Sequence, residues 1–477
     1  MTDPDPAEVA AIRRLESADL WGHPKGVYFL AATEAWERFS FYGMRTLLIL
    51  YMVQELLLPG HVENVAGMDW FRPFIESIFG TLSDQAFASQ LFGLYAGFVY
   101  FTPLIGGWLA DRWLGAKTTV MIGIALMGAG HILMVWEESF LLALLFLVLG
   151  SGALKGNVAA QVGHLYPQRD EARRSKGFTI FSTGINIGAI IGPLVCGWLA
   201  QRYGWHAGFG TAGGVMALAG IAYILGLPHF AEDRIHRSGD GTPALSTSER
   251  TTLGFVLLIL AIALFWSLAF DQMFNVGLLW VAEGVALDTS FGTVPVPWFG
   301  SEDSFASVVV VPILLGLWSS REKRGRPVGD FEKIATGSVI MALSIGTLGL
   351  GAALAGDDGK ASILFPLIAF FLSGTSFMYV WPTMLAMVSR RAPRAINARM
   401  MAAAYLVAFV SNIVAGFLAR FYEPLGPAGF FAMMAVISLT GALLVFLFGR
   451  RIDRRLDALD EEQAAAAAQP AFSPAAP

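Results

Sequence analysis

The chain has 477 residues, 55% of them hydrophobic and only 14% charged, with a mean hydropathy of +0.58. So little charge could not coat a soluble core of this size, which excludes a soluble globular chain and points to a polytopic membrane protein. The formal net charge of −5 decides little, because in a membrane protein the distribution of charge matters more than its sum.

The N-terminus, Met1 to Pro24, is polar and is not read as a cleavable signal peptide; the first span itself would direct insertion. Apolar runs long enough to cross a bilayer recur at about 27–57, 87–110, 116–136, 138–163, 176–201, 206–228, 252–283, 302–319, 331–355, 361–389, 397–420 and 426–449. These twelve spans predict an all-α membrane protein. With both termini inside, 25 of the 32 Lys and Arg fall in cytoplasmic segments and 4 outside, which supports the orientation. The longest cytoplasmic connection, 229–250, follows the sixth span and separates a first six-helix half, 27–228, from a second, 251–450. Two halves around a midplane site are what an alternating-access carrier requires. The flanking segments are a cytoplasmic N-terminus, 1–26, and a tail, 451–477, expected to lack structure from Gln463 onward. In the first outer loop Trp70, Phe71, Phe74 and Ile78 form an amphipathic patch suited to the membrane interface.

The first span holds Glu34, Glu37, Arg38, Phe41, Tyr42 and Arg45 on one helical stripe, while Ala31, Ala35, Leu47 and Leu50 occupy the opposite face. A charge at the membrane centre costs roughly 2.5 kcal/mol or more, so such residues face a cavity or a partner. A structural ion pair would satisfy some of them; four ionisable groups on one face favour a water-filled pathway. The stretch resembles the E-x-x-E-R-F-x-Y-Y-G signature of the proton-coupled oligopeptide transporters, a branch of the major facilitator superfamily. Phe41 stands where the family has its first tyrosine.

After the second span, Gly106, Gly107, Asp111, Arg112, Gly115 and Lys117 resemble the superfamily's G-x-x-x-D-R-x-x-G-x-K loop. Its glycines permit a tight turn, and an acid followed by bases can bridge helix ends in one conformation and release them in another. In the fourth span Lys155 lies among small residues, too deep to snorkel, and needs a carboxylate or an anionic substrate group; a fixed bridge to Glu37 is one possibility. The family has a lysine there too, followed by proline where this chain has Gly156. The fifth span, with Asn186 and Gly188, resembles F-Y-x-x-I-N-x-G, Ser182 replacing the tyrosine.

The second half follows the family less closely. Phe265, Trp266 and the later Asp271 and Gln272 resemble F-W-x-x-F-(acid)-Q with one residue inserted. Asp271 is then expected to pair with Arg45 when the outer side is closed. Trp298 and Phe299 open a stretch that resembles W-F-x-x-x-N-P-x-F, with Asp303 in place of the asparagine. In the tenth span Phe377, five residues before Pro382, stands where the family places an amine-binding Glu, and Ala404 replaces a tryptophan.

The resemblance implies the major facilitator fold and a proton-driven symporter importing small peptides or related zwitterions across a bacterial-type inner membrane. Arg38 and Lys155 would bind the substrate carboxylate, Tyr42, Tyr100 and Asn186 would orient it, and Glu34 and Glu37 would carry protons. Arg45, Asp303 and Phe377 complete the expected substrate cavity. A different small solute is the rival within carriers, motivated by Phe377, Ala404 and Asp303. A non-transporting sensor on the same fold is the rival across classes. His131 could relay protons from the third span, though a lone helical histidine usually serves packing. No nucleotide-binding loop, Ser/His pair or metal-ligand spacing is present, so no enzyme, cofactor, metal site or nucleic-acid partner is expected. The partners foreseen are protons, the small solute and the lipid bilayer.

Overall fold

A computed structural model describes residues 19–167, 170–233, 247–355, 359–392 and 397–468. Most of the linker expected at 229–250, the first 18 residues and those from 469 lie outside the described residues.

After a two-residue strand pair, β1 (Asp19–Leu20) and β2 (His23–Pro24), the first half is built from α1 (Lys25–Tyr51), a short α2 (Met68–Phe79), α3 (Asp84–Leu109), α4 (Ala116–Leu133), α5 (Phe140–His164), α6 (Glu171–Tyr203) and α7 (Trp205–Gly226). The second half comprises α8 (Thr247–Gln272), which continues through a π turn into α9 (Leu278–Gly284), then the hairpin β3 (Asp288–Thr289) and β4 (Gly292–Thr293), α10 (Trp298–Lys323), α11 (Asp330–Ala353), α12 (Leu364–Arg391), α13 (Asn397–Leu418) and α14 (Tyr422–Ala468). Among the described residues ten helical stretches are long and apolar enough to cross a membrane, α13 and α14 counted as one; α1, with its four internal charges, completes twelve. The helices form because the apolar runs satisfy every backbone group internally, as a bilayer demands. Ser83 caps α3 by accepting from the Ala86 amide, and Gly115, at φ +77°, makes the turn into α4. The tail departs from expectation: α14, kinked at Gly426, runs on to Ala468. The outer patch is a helix, α2, with Trp70, Phe74 and Ile78 exposed and Ile75 buried.

What positions α1 is a row of glycines on α6. A Cβ on Gly184, Gly188 or Gly192 would run into the backbone carbonyl of Ala31, Ala35 or Phe39 respectively. Small residues at this spacing let the two backbones close on each other, as is usual for helices in lipid. The contact reaches the edge of the charged stripe, since a Cβ on Gly188 would also meet Arg38 Cβ.

Among the described residues, the side-chain hydrogen bonds between the two halves lie on one side. We call it the loop face, since it carries α2 and the β3–β4 hairpin; the opposite linker face carries the end of α7 and the start of α8. Ser301 and Trp298 of α10 donate to the carbonyls of Ile190 and Leu194 on α6, at 2.6 and 3.0 Å. Asn275 donates to the Ser89 carbonyl at 3.2 Å, and Arg420 to that of Thr81 at 3.1 Å. One turn beyond Ile190 toward the linker face, Asn186 is exposed on the same row of α6. On α13, Phe409 packs edge-on against Phe98 and at a tilt against Phe101, whereas Tyr405, a turn nearer the linker face, is 41% exposed. Asn186 and Tyr405 are both uncovered toward the linker face, and the space between the halves there is the candidate cleft.

Candidate functional site

Near mid-depth on α1, Arg38 Nε lies 3.0 Å from Glu34 Oε1 and 2.5 Å from Glu37 Oε2. All three side chains are buried, Glu37 completely. Glu34 is one helical turn before Arg38, which is why the stripe folds into a three-membered ion pair without help from another helix. Lys155 reaches in from α5, and its Nζ stands 4.1 Å from the centre of the Phe41 ring and 5.3 Å from that of Tyr100. The Arg38 guanidinium is 5.3 Å from the same Phe41 ring. Lys155 makes no ion pair among the described residues, so the fixed Lys155–Glu37 bridge weighed from the sequence is not formed. Glu37 is taken by Arg38 instead. Tyr42 packs edge-on against Phe41 at 5.2 Å.

Toward the loop face the expected Arg45–Asp271 pair is also not formed, although that side is closed. Arg45 lies over the ring of Phe274 at 4.8 Å and near Phe92 at 5.8 Å. Asp271 accepts instead from Ser411 on α13 at 2.5 Å. The physical reason lies in the π turn Met273–Gly277, whose Phe274 the Arg45 guanidinium covers.

In the second half Phe377 belongs to a stack of rings. Trp266 and Phe270 on α8 stack at 5.1 Å, Phe270 and Phe377 at 5.4 Å, and Phe377 and Trp381 at 6.3 Å. The Trp266 indole is fixed by donating to Ser376 at 2.7 Å, which in turn donates to the Gly337 carbonyl. Asp303 is buried on α10, its Oδ1 without a hydrogen-bond partner among the described residues. A turn further on, Ser307 donates to the carbonyls of Asp303 and Gly374, tying α10 to α12 one turn from Phe377.

Other expected residues lie apart from this centre. His131 is fully buried inside the first half, and neither ring nitrogen is hydrogen-bonded among the described residues. Asp111 and Arg112 are exposed at the end of α3 and make no ion pair among the described residues; Gly107 is open and Gly115 forms the turn. The Lys117 amide donates to Asp233 at 3.1 Å, an acid after α7 that closes the first half on itself. The sequence reading passed over Phe41 as a contact, Phe274, Ser411 and the ring stack. Phe41 could have been found, since it stands on the charged stripe between two cations.

The family model of the Major Facilitator Superfamily matches residues 57–416. A Di-/tripeptide transporter of Lactococcus lactis subsp. lactis (strain IL1403) is 27% identical over 91% of this chain and 96% of its own length. The "Uncharacterized transporter YclF" of Bacillus subtilis (strain 168) is 26% identical over the same shares. Among solved structures, a peptide transporter POT in complex with alafosfalin superposes with a TM-score of 0.82 at 25% identity, covering 94% of this chain and 99% of that one. A POT family transporter in complex with 5-aminolevulinic acid superposes with a TM-score of 0.77 at 21% identity, covering 93% and 99%. With two helical halves about a charged midplane and this set of relatives, the chain belongs to the Major Facilitator Superfamily, in its POT branch.

Proposed function

We propose that the protein is a proton-coupled symporter that imports di- or tripeptides, or related small zwitterions, by alternating access. It would reside in an inner (plasma) membrane with both termini cytoplasmic, so that the linker face opens to the cytoplasm. The Lys and Arg bias toward the linker face supports that orientation. The names of the relatives support the solute class.

The observation that carries the reading is the contrast between Arg38, held by two carboxylates, and Lys155, held by none. A desolvated ammonium over a ring gains about 2 kcal/mol, while an unpaired buried charge costs several. Lys155 is therefore the group left wanting an anion, and a substrate carboxylate supplies it. Protonation of Glu34 or Glu37 weakens their hold on Arg38, which is then free to join Lys155 on the same carboxylate. Deprotonation returns Arg38 to the glutamates and weakens the substrate's grip, which ties release to the proton. Tyr42, Tyr100 and Asn186 would orient the bound molecule, and Asp303 would receive its amine in place of the acid that Phe377 displaces.

The stack of Trp266, Phe270, Phe377 and Trp381 favours a second reading, a solute with an apolar or aryl end and no amine. Uptake into proteoliposomes, screened over di- and tripeptides, amino acids and organic acids under an inward proton gradient, separates the two. Peptide accumulation supports the first reading; accumulation of amine-free acids alone replaces it with the second.

A further inference from the structure

At the loop-face end of α1 the chain widens into a π turn, Met52–Leu56, that holds Glu55. His61 comes from the loop that follows, and Glu137 from the turn between α4 and α5. One ligand atom from each of these three lies within 4.8 Å of the others. His206, in the first turn of α7, places its Nε2 3.9 Å from Glu55 Oε1. Asn64 donates to Glu137 Oε2 at 2.9 Å, leaving Oε1 directed at His61 Nδ1, 2.5 Å away. All four side chains are partly open to solvent, from 15% for Glu137 to 44% for His206, so an ion can enter.

We propose that Glu55, His61, Glu137 and His206 form a binding site for a divalent transition metal of the zinc class. The donor set decides the class. Glu55, His61 and Glu137 already converge, and His206, now 3.9 Å from Glu55 Oε1, would swing in to complete two imidazole nitrogens and two carboxylate oxygens. That set matches the four-coordinate preference of zinc, whereas calcium and magnesium favour oxygen ligands throughout. The Asn64 bond supplies the outer support that metal-bound carboxylates usually have. The residues come from four separate segments, which is why no ligand spacing is visible in the sequence. All four segments belong to the first half, so the ion would brace α1, the α4–α5 turn and α7 against each other without bridging the cleft.

The test uses the full chain purified in detergent, with any histidine tag removed, titrated with zinc ion and followed by calorimetry and thermal unfolding. We expect one zinc per chain and a rise in Tm, neither displaced by excess magnesium or calcium. His61→Gln with His206→Gln, and Glu137→Gln separately, should each lower zinc affinity by about tenfold or more without changing the metal-free Tm markedly. Should the double variant fail to fold, His206→Gln alone, at a half-exposed position, gives the same reading. Absence of zinc binding by the native chain, unchanged affinity in the variants, or displacement by magnesium or calcium would each overturn the assignment.

Discussion

Lys155 and Phe41 face each other across α5 and α1, the ammonium 4.1 Å from the ring centre, while the carboxylates on the same stripe are both engaged by Arg38. In the proposed mechanism the ring keeps the cation off Glu37 until a substrate carboxylate replaces it. Phe41→Leu removes a π face worth about 2 kcal/mol and should let Lys155 move toward Glu37. The half-saturation concentration for substrate should rise several-fold with a smaller change in maximal rate. Phe41→Tyr, which keeps the ring, should stay near native. Equal kinetics for the leucine and tyrosine variants would show that the ring has no part in holding Lys155.

Coupling is expected to reside in the glutamates. Glu37→Gln should abolish uphill, proton-driven accumulation but leave counterflow exchange measurable, since exchange requires no net proton release. A glutamine variant that still concentrates substrate removes Glu37 from the proton path.

For the loop-face closure, Arg45 rests on Phe274 and Asp271 on Ser411. A charge swap, Arg45→Asp with Asp271→Arg, should therefore recover little transport, because each partner would lose its present contact. Phe274→Ala should impair transport on its own, whereas Phe274→Trp should retain most of it. Strong recovery by the swap would instead establish direct pairing in another state of the cycle.

The amine end gives a fourth expectation. An ammonium brought into the cleft needs an anion, since an unpaired buried charge costs several kcal/mol. Asp303→Asn should weaken uptake of free-amine substrates far more than of their N-acetylated analogues. Equal losses for both would remove Asp303 from the amine site and favour the amine-free solute.

Packing makes its own prediction. Gly188→Leu puts a side chain into the Ala35 carbonyl and Arg38 Cβ, which should cost at least the ~1–3 kcal/mol of an overpacked core. The Tm should fall by several degrees and transport should be lost with it. An unchanged Tm would mean that α1 and α6 can separate without harm.

The helix count, the division into halves and the charged stripe could be read from the sequence because each is a pattern along one chain segment. Apolar length identifies a span, and 100° per residue sets Glu34 over Arg38. The partners of Lys155, Arg45 and Asp271 could not, since each depends on how two helices turn toward one another. Phe274 comes to lie against Arg45 at a π turn that no apolar period announces. The family signature suggested an Arg45–Asp271 pair, yet Ser411, a residue with no signature, holds Asp271. Likewise Phe377 stood out as a missing acid, while its place in a stack with Trp266, Phe270 and Trp381 required α8 and α12 to be in register. The proposed ligands Glu55, His61, Glu137 and His206 are the extreme case, being scattered over four segments.

The most direct test of proton-coupled substrate entry follows proton movement itself. Proteoliposomes loaded with a pH-sensitive dye, with an inward proton gradient imposed, receive a dipeptide from outside. The account predicts acidification of the lumen that depends on the peptide, saturates with it, and disappears in both Glu37→Gln and Lys155→Gln. Peptide entry without acidification, or acidification that persists in the Glu37 variant, would contradict it.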